Sequence, residues 1–394
     1  MHILEIPSFF PPYGGLFCLD QAKALAAQGH EVRILSNVQL GVSIGLKDYL
    51  TLPYGRYEHL MDGITVYQSY QRGVPKLIRH NVSRWVSIVL SMFADYVKQY
   101  GKPDILHAHC AKWAGYAAMQ IAKECHLPYV ITEHLPLMLL EEEFGPAPST
   151  AWQIPLLKQA YQEADMVIPV SEELVDDMTC YFGSAYRHQA IPNIVDVDYF
   201  AYRERVRTEN APFHFCCLAL FVERKGYDVL FRAFDMLAQI EPNIRLSICG
   251  QGTNGASCRQ LMSRMASKDK IVSFGVLDKS GVRQLLYDSD ALVLATRDES
   301  QGLVLLEAMS TGIPALSTKA IPKSVRLSSG FQYVDVDDAD ALMHEMLSAV
   351  RAKHFDGIHL SNLVREFAAP EVVASRIVRV FQNTLNERAG LRTS

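Results

Sequence analysis

Short apolar runs rich in β-branched residues alternate along the chain with amphipathic stretches of helical length. A bounded run of about four to eight apolar residues is typical of a buried strand, whereas apolar positions three and four apart indicate a helix with one buried face. Regular alternation of the two is expected where helices connect and cover parallel strands. The pattern therefore predicts an α/β fold.

The predicted strands form two series. The first comprises 1–6, 31–36, 63–68, 104–109, 127–132, 165–170 and 187–191, and the second comprises 213–219, 244–249, 270–275, 290–295, 313–317 and 331–335. Between them lies "IPNIVDVDYFAYRERVRTENAP", which has prolines and charges but no clear periodicity. Because 394 residues exceed what one core usually supports, we predict two Rossmann-like domains, at 1–205 and 206–365. A last amphipathic helix within 366–394, introduced by Pro370, is expected to pack back on the N-terminal domain.

Composition and charge narrow the class of ligand. The net charge of -5 argues against nucleic-acid binding, which needs a basic surface to displace counterions from phosphates. The eight cysteines form no C-x-x-C pair, so we expect reduced thiols, with metal ligation as the remaining alternative. The start "MHILEIPSFF" lacks the pattern of a secretory signal, and Arg84 and Asp95 interrupt the longest apolar helix. We therefore expect a cytoplasmic protein that binds small molecules.

Two glycines separate the first predicted strand from its helix, in "PSFFPPYGGLFCLDQAKALAAQGHEVRIL". Gly14 and Gly15 allow close backbone approach, and the following helix start suits a phosphate, although a tight turn alone explains them equally well. The dinucleotide fingerprint G-x-G-x-x-G is absent from this stretch, and the second strand ends in Ser36 and Asn37, without an acidic residue for a ribose. An NAD-dependent enzyme is therefore disfavoured.

Histidines stand at the ends of two neighbouring predicted strands. His107 and His109 in "PDILHAHCAKWAG" point to the same side, because side chains of a strand alternate, and His134 ends the next strand. Strand ends of open α/β sheets line the ligand crevice, so one of these histidines is a candidate catalytic residue. A satisfied structural role and metal binding remain alternatives.

The second domain opens with a basic loop, in "LALFVERKGYDVLFRAFDML". Arg224 and Lys225 could neutralise a diphosphate, although an ordinary solvated loop has the same composition. The next strand runs into Gly250 and Gly252, another turn of close approach.

Two glutamates lie eight residues apart in the apolar stretch "RDESQGLVLLEAMSTGIPALS". Glu299 belongs to a loop and Glu307 to the helix that follows Gly302, and buried carboxylates need donors such as sugar hydroxyls. The alternative makes Glu299 a partner of the helix dipole and Glu307 a solvent-facing residue.

These glutamates complete the pattern E-x(7)-E, and further stretches accompany it in order: "YGG", "GHEV", "PDILHAH", "IPVSEEL", "IPNIVDVDYF" and "RKGYDVLFRAF". With these motifs the chain resembles the group 1 glycosyltransferases of family 4 over nearly its whole length. The resemblance implies the GT-B fold, in which two Rossmann-like domains with parallel sheets face a central cleft, and a retaining reaction.

The resemblance also implies a donor site in the second domain. Glu299 would contact hydroxyls of the donor sugar, and Glu307 would bind the ribose. The backbone amides of Gly302 and Leu303 would meet the donor phosphate.

Further donor contacts are implied at two other loops. Lys225, with Arg224, would hold the diphosphate as charge develops on the leaving group. Val276 and Leu277 would lie beside the nucleobase.

From the first domain, the resemblance implies that Gly14 and Gly15 approach the phosphates and that His109 faces the transferred sugar. His109, Glu299 and Lys225 are then the expected catalytic residues, and closure of the cleft would exclude water.

One position departs from the family pattern. Many members carry an arginine five or six residues before the loop lysine, where this chain has Ala219 and Leu220. Either Arg224 compensates or phosphate binding is weaker. No metal and no cofactor beyond the nucleotide-sugar co-substrate is expected.

The acceptor side is less defined. The stretch 71–102, which contains the segment 72–98, carries six lysines and arginines against one acidic residue, with Trp85 and Phe93 in an apolar stripe. It could rest peripherally on the inner face of an anionic membrane that holds a lipid-linked acceptor. Alternatively, it is a helix that covers the sheet and has a solvated face.

The predicted function is transfer of a sugar from a nucleotide-diphosphate sugar to a saccharide or lipid-linked saccharide, as in polysaccharide or glycoconjugate biosynthesis. A nucleotide-sugar epimerase of the same fold and a non-catalytic nucleotide-sugar binder remain alternatives.

Overall fold

The computed structural model describes residues 1–12, 14–135, 137–145, 150–205, 211–352 and 355–392. It divides into two compact units, the first comprising Met1–Ile194 with Pro370–Ser394 and the second Val195–Ala369. The segment 195–205, which the sequence pattern assigns to the first domain, thus belongs to the second unit.

The secondary structure alternates as predicted. The strands are β1 (His2–Pro7), β2 (Glu31–Leu40), β3 (Gly55–Met61), β4 (Ile64–Arg72), β5 (Ile105–His109), β6 (Tyr129–Glu133), β7 (Met166–Pro169), β8 (Phe213–Leu218), β9 (Ile244–Cys249), β10 (Ile271–Ser273), β11 (Ala291–Leu294), β12 (Ala315–Thr318) and β13 (Phe331–Val334). The helices are α1 (Leu16–Ala27), α2 (Leu46–Thr51), α3 (Ile78–Tyr100), α4 (Tyr116–Cys125), α5 (Leu137–Phe144), α6 (Ile154–Glu163), α7 (Glu173–Phe182), α8 (Tyr227–Ile240), α9 (Ala256–Met262), α10 (Lys279–Asp288), α11 (Leu303–Ser310), α12 (Ala339–Ala352), α13 (Gly357–Ala368) and α14 (Pro370–Arg392).

The first unit contains a seven-stranded sheet of order β3-β4-β2-β1-β5-β6-β7. All neighbours are parallel except β3, which pairs antiparallel with β4. The sequence pattern missed β3, because its side chains are mostly exposed or half-buried and do not form an apolar run. Asp62 and Gly63 connect the two strands, both with positive φ, as the tight two-residue hairpin turn requires.

The predicted strand at 187–191 is wrong. Only His188 forms a bridge, to Val167 of β7, and Gln189 donates its amide to the same residue. Pro192 follows at once and has no amide hydrogen to extend the ladder. The segment therefore runs beside the edge of the sheet without becoming a strand.

The second unit contains a six-stranded parallel sheet of order β10-β9-β8-β11-β12-β13. Every one of its strands was expected from the sequence. The α/β fold class with two Rossmann-like parallel sheets is therefore confirmed, with β3 as the antiparallel exception.

Strand order places the candidate site loops. In the first sheet the order reverses between β1 and β5, and in the second between β8 and β11. At such a reversal the two flanking connections leave toward opposite faces, which opens a crevice at the carboxyl ends of the strands. In the first unit the loops after β1 and β5 meet there, and in the second unit those after β8 and β11.

Helices cover both faces of the first sheet. On one face, α14 contributes Val373, Ile377 and Phe381, which are fully buried in a cluster with Ile3 and Val66. Burying a side chain of this size stabilises a fold by about 1.5–3 kcal/mol relative to exposing it. The C-terminal helix is thus part of the core of the first unit.

On the other face, α3 buries its apolar stripe against the sheet. Trp85 and Phe93 are buried, and the Trp85 indole donates a hydrogen bond to the carbonyl oxygen of Asn37 at 2.8 Å. The sheet, and not a membrane, covers this stripe, so the alternative of a sheet-covering helix describes it. Within the described part of the chain, no helix is both long enough and apolar enough to span a bilayer.

Candidate active site

Gly226 brings two loops of the second unit together. It ends the short 3-10 turn Glu223–Lys225 with φ 63°, and a Cβ atom there would lie 1.9 Å from the carbonyl oxygen of Ala295. Only glycine permits this approach without displacing backbone. The loop after β8 therefore lies directly against the end of β11.

Lys225 and Glu299 form an ion pair across these two loops. Their side chains are only 10% and 12% exposed. A charge so far removed from water is costly without a partner, so each group stabilises the other. The two residues assigned to phosphate and sugar by resemblance are thus in direct contact.

Arg297 joins the same loops, and its role was not expected from the sequence. Its guanidinium donates to Asp228 and Asp337 at 2.7 Å each and to the carbonyl oxygen of Glu223 at 2.6 Å. Its amide donates to the carbonyl oxygen of Arg224 at 2.7 Å. In the sequence, Arg297 is marked by its position just after a predicted strand. Its partners lie about 40 to 74 residues away, so the sequence does not reveal the contacts.

Arg224 lies half-buried beside Lys225. Its carbonyl oxygen accepts hydrogen bonds from the Arg297 amide and from the Thr296 hydroxyl at 3.0 Å. Among the described residues its guanidinium forms no ion pair, so its charge is open to an anion.

Gly302 starts α11 in the left-handed conformation, with φ 78°. Along the helix, Leu305 is fully buried, whereas Leu303, Val304 and Glu307 are half-buried. Positions three and four apart share a helix face, so these three residues form one accessible stripe. Glu307 therefore points to the same side as the start of the helix and away from the core.

The loops after β9 and β10 are tied to the loop after β8. The Gly250 amide donates to the Gly275 carbonyl oxygen at 2.7 Å, and a Cβ atom on Gly250 would lie 2.0 Å from the Ala219 carbonyl oxygen. The close approach inferred at Gly250 is thus made to a neighbouring loop. Val276 follows, 73% exposed, and Leu277 is half-buried.

Gly14 and Gly15 of the first unit have different structural roles. Gly15, with φ 80°, precedes α1, and a Cβ atom there would lie 1.9 Å from the carbonyl oxygen of Phe9. The turn itself therefore requires glycine at this position. Gly14 has φ 112°, and a Cβ atom on it would meet no described atom within 4 Å, so its backbone borders open space.

Glu5 of β1 connects the two histidines of β5. His109 Nε2 lies 2.7 Å from Glu5 Oε2, and His107 Nδ1 lies 2.9 Å from the same oxygen and 3.1 Å from Oε1. His107 Nε2 is also 2.7 Å from the Thr132 hydroxyl. All four side chains are fully buried, so the network satisfies polar groups that have no access to water.

Within this network, the pKa values of Glu5 and His109 are both lowered, but for different reasons. Burial alone would raise the pKa of Glu5, but the charge of His107 and the hydrogen bonds of His107 and His109 outweigh it and lower the pKa to about 2. For His109, burial and the neighbouring His107 lower the pKa although Glu5 acts in the opposite direction. Glu5 therefore remains a carboxylate, and His109 favours the neutral imidazole.

His134, which follows β6, adds a third histidine next to His109. Its Nε2 lies 3.4 Å from His109 Nδ1, and its half-buried ring packs on Phe17 with 3.9 Å between centroids. Burial lowers the pKa of His134 well below its usual value. The structure thus brings together the three histidines singled out from the sequence.

Glu133 fixes the turns that follow the histidine-bearing strands. Its buried carboxylate accepts hydrogen bonds from the amides of Ala111, His134 and Leu135 at 2.8–3.1 Å and from the Tyr161 hydroxyl at 2.5 Å. Sequence reasoning missed Glu133 and Glu5, because a single glutamate in an apolar strand gives no sign of distant donors.

Glu5, His107 and His109 also form a set that could hold a metal ion, since their ligand atoms lie within 4.8 Å of one another. Two imidazoles and a carboxylate suit several divalent metals. The same atoms are already joined by hydrogen bonds of 2.7–3.1 Å, which account for their placement without an ion.

Sequence profiles of two families cover most of the chain. The profile described as Glycosyltransferase Family 4 matches residues 14–199, and that described as Glycosyl transferases group 1 matches residues 199–351. Among curated relatives, the sulfoquinovosyl transferase SQD2 of Arabidopsis thaliana is 24% identical over 62% of this chain and 50% of its own length. The N-acetyl-alpha-D-glucosaminyl L-malate synthase of Bacillus anthracis is 23% identical over 96% of both chains.

Solved structures show the same architecture. Sucrose-phosphate synthase from Thermosynechococcus elongatus superposes with a TM-score of 0.77 at 17% identity, covering 98% of this chain and 100% of that chain. The Anabaena protein HepE, in complex with UDP and glucose, gives a TM-score of 0.71 at 15% identity, covering 97% and 99%. At these identities the likeness establishes the GT-B fold, and together with the two profiles it shows that the chain belongs to the group 1 glycosyltransferases of family 4.

Proposed function

We propose that this glycosyltransferase moves a sugar from a nucleotide-diphosphate sugar to a saccharide or lipid-linked saccharide, with retention of configuration, in polysaccharide or glycoconjugate biosynthesis. The observation that carries the proposal is the nearly buried Lys225–Glu299 pair at the carboxyl edge of the second sheet. It offers a cation for phosphate and a carboxylate for sugar hydroxyls in one place. The UDP and glucose bound by HepE support a ligand of this class.

Donor binding is proposed to exchange the partners of this ion pair. Diphosphate oxygens replace Glu299 beside Lys225, and the guanidinium of Arg224 supplies a second cation. Glu299 then accepts hydrogen bonds from hydroxyls of the donor sugar. Because each buried charge gains a new partner as it loses the old one, the exchange avoids an unpaired charge.

The open stripe of α11 is proposed to hold the rest of the nucleotide. The amides of Gly302 and Leu303 meet a phosphate at the positive end of the helix dipole, and Glu307 accepts the ribose hydroxyls about one turn later. Val276 and Leu277, on the loop after β10, provide apolar contact for the base. The exposure of Val276 supports this assignment, since an apolar side chain gains from being covered.

From the first unit, Gly14 and Gly15 are proposed to approach the phosphates and His109 the transferred sugar. The His109 ring is enclosed between Glu5 and His134. A sugar hydroxyl that reaches its Nδ1 would therefore take the place of His134 Nε2.

For the chemical step we propose departure and attack on the same face of the sugar. The bond from the anomeric carbon to the phosphate oxygen breaks, and the acceptor oxygen forms a bond to that carbon. The departing phosphate takes the acceptor proton, and Lys225 stabilises the charge on the leaving group. These residues perform the step without a metal or a further cofactor. A cytoplasmic location remains a prediction from the sequence.

A time course by NMR tests the proposal. The protein is incubated with UDP-, GDP- and ADP-sugars and a panel of saccharide acceptors, and the anomeric protons are followed. We expect one donor to be consumed, with release of the nucleoside diphosphate and a product of the donor's own anomeric configuration. A new epimer of the donor without acceptor would instead identify an epimerase, and binding without turnover would identify a sugar-nucleotide binder.

A further inference from the structure

An apolar surface of the first unit is left open to solvent. Helix α2 has no buried residue, and its Leu46 is 67% and Leu50 56% exposed. Leu77 and Ile78, at the start of α3, are 53% and 46% exposed. Ile78 lies seven residues before Trp85, on the line of the buried stripe of α3, but both it and Leu77 remain exposed and so contribute little to the core.

The two segments lie side by side. The Tyr49 hydroxyl of α2 donates to the carbonyl oxygen of Gly73 at 2.8 Å, just after β4. Arg72 donates in return to the carbonyl oxygens of Tyr49 and Leu50 at 3.0 and 2.7 Å. Because Leu77 follows Gly73 by only four residues, the start of α3 lies near α2, so one flat partner could contact the exposed apolar side chains of both segments.

Three cationic residues stand next to these apolar residues in the sequence. Lys47, Lys76 and Arg79 are exposed, and none of them forms an ion pair with any residue that the structure describes. Asp48 is the one acidic residue in 42–51 and 72–84 together. Since the whole chain carries a net charge of -5, the basic character is local to this surface. We call it the α2–α3 surface, defined by Leu46, Lys47, Leu50, Lys76, Leu77, Ile78 and Arg79.

We propose that the α2–α3 surface docks on an anionic lipid bilayer. Its leucines and isoleucine would enter the boundary between headgroups and acyl chains, while its lysines and arginine contact lipid phosphates. The proposal moves the expected membrane contact from the buried stripe of α3 to the start of that helix and to α2. It stands on exposure and charge, and it does not depend on the reaction catalysed.

The chemistry of the surface favours a bilayer over other partners. Nucleic acid would match the cations but offers nothing to four exposed aliphatic side chains. A protein partner usually meets aromatic anchors, whereas this surface presents aliphatic side chains on a short helix and a neighbouring helix start. Exposed aliphatic side chains with lysine and arginine beside them are the combination that anionic interfaces attract.

Vesicle sedimentation of the full chain tests the proposal. Vesicles of phosphatidylcholine alone and of phosphatidylcholine with phosphatidylglycerol are compared at low and high salt. We expect binding to the anionic vesicles, weakened by salt because exposed charges are screened. Leu46→Ser with Leu50→Ser, and separately Lys47→Glu with Lys76→Glu, should each reduce binding by about tenfold or more.

A matched control keeps the test specific. Ile240→Ser with Ile358→Ser removes two aliphatic side chains of similar exposure, 51% and 56%, from the second unit and should bind vesicles as the wild type does. Unchanged thermal midpoints would show that the variants fold. The proposal is overturned if the wild type ignores anionic vesicles or if both double variants bind them normally. It is also overturned if the leucine variant abolishes self-association in ultracentrifugation while vesicle binding is unaffected.

Discussion

Glu5 holds the two histidines of β5 in the first unit. Its carboxylate meets both His107 and His109, which lie 102 and 104 residues further along the chain. A buried carboxylate is stable only when such partners form hydrogen bonds with it. The same hydrogen bonds fix the orientation of both imidazole rings. The orientation of His109 is thus set from the strand beside it.

Replacing this carboxylate should weaken the first unit. In Glu5→Gln one oxygen remains as acceptor and the amide brings donors, so at least one histidine must change tautomer or lose its bond. We expect the free energy of unfolding to fall by about 1–3 kcal/mol, measured by urea denaturation. Glu366→Gln, at an exposed position of α13, serves as control and should change little. Equal stability of both variants would contradict the role given to Glu5.

The histidines also predict how stability changes with pH. Burial lowers the pKa of His109 and His134 in the folded state, so the unfolded state binds their protons more readily. Their contribution to stability is therefore complete above the unfolded histidine pKa, about 6.5, and declines as the pH falls below it. Urea unfolding at about pH 7.5 and about pH 5.5 should show a loss that is smaller in His134→Phe. A loss of the same size in that variant would contradict the assignment.

At the scale of elements, α11 shows how one short helix serves both the core and an open edge. Leu305, Leu306 and Met309 are buried, whereas Leu303 and Glu307 lie on the accessible stripe. The apolar neighbours that make Glu307 look enclosed in the sequence therefore belong to the opposite side of the helix. A half-buried carboxylate on this stripe can be reached by a ligand.

Glu307→Ala should consequently weaken donor binding and leave the fold intact. Loss of hydrogen bonds to a charged acceptor costs about 1.5–3 kcal/mol, which corresponds to roughly ten- to hundredfold in affinity. Calorimetry with the nucleotide sugar found in the NMR screen measures the change. Glu345→Ala in α12 is the matched control. Unaltered donor affinity in Glu307→Ala would remove this residue from the site.

Helix α14 supports the first unit although it comes last in the chain. Phe381 is fully buried, and its ring meets the His107 ring edge-on at 5.2 Å. Phe381→Ala should lower the free energy of unfolding by about 3–5 kcal/mol, because it leaves a cavity beside the histidine network. Gln382→Ala, an exposed neighbour, should have little effect. A small loss in Phe381→Ala, measured by urea denaturation, would mean that α14 is dispensable.

At the scale of the whole molecule, the sequence predicts the sheets well, because buried parallel strands are nearly continuous apolar runs between turn signals. It misses β3, because this edge strand carries polar side chains that face solvent. It also predicts a strand at 187–191 that the structure does not contain. It also identifies the stripe of α3 but cannot say what covers it. Periodicity reveals that a face is apolar, and only the fold reveals that the sheet already occupies it.

The residues of the candidate site likewise fall into those that the sequence reveals and those that it does not. Lys225, Glu299 and Glu307 stand out by their spacing and motifs, so resemblance finds them. Glu133 and Arg297 act through partners that are distant in sequence, and no local pattern marks those contacts. Residues that bind a shared ligand class can be found from the sequence, whereas residues that hold them in place need coordinates.

The measurement that tests the central claim most directly is donor binding by the Lys225–Glu299 pair. Wild type, Lys225→Met, Glu299→Gln and the double variant are compared by thermal shift with UDP-, GDP- and ADP-sugars. We predict that one nucleotide sugar raises the Tm of the wild type and that all three variants lose most of this shift while remaining folded. A shift of the same size in the double variant would contradict a donor site built on this pair.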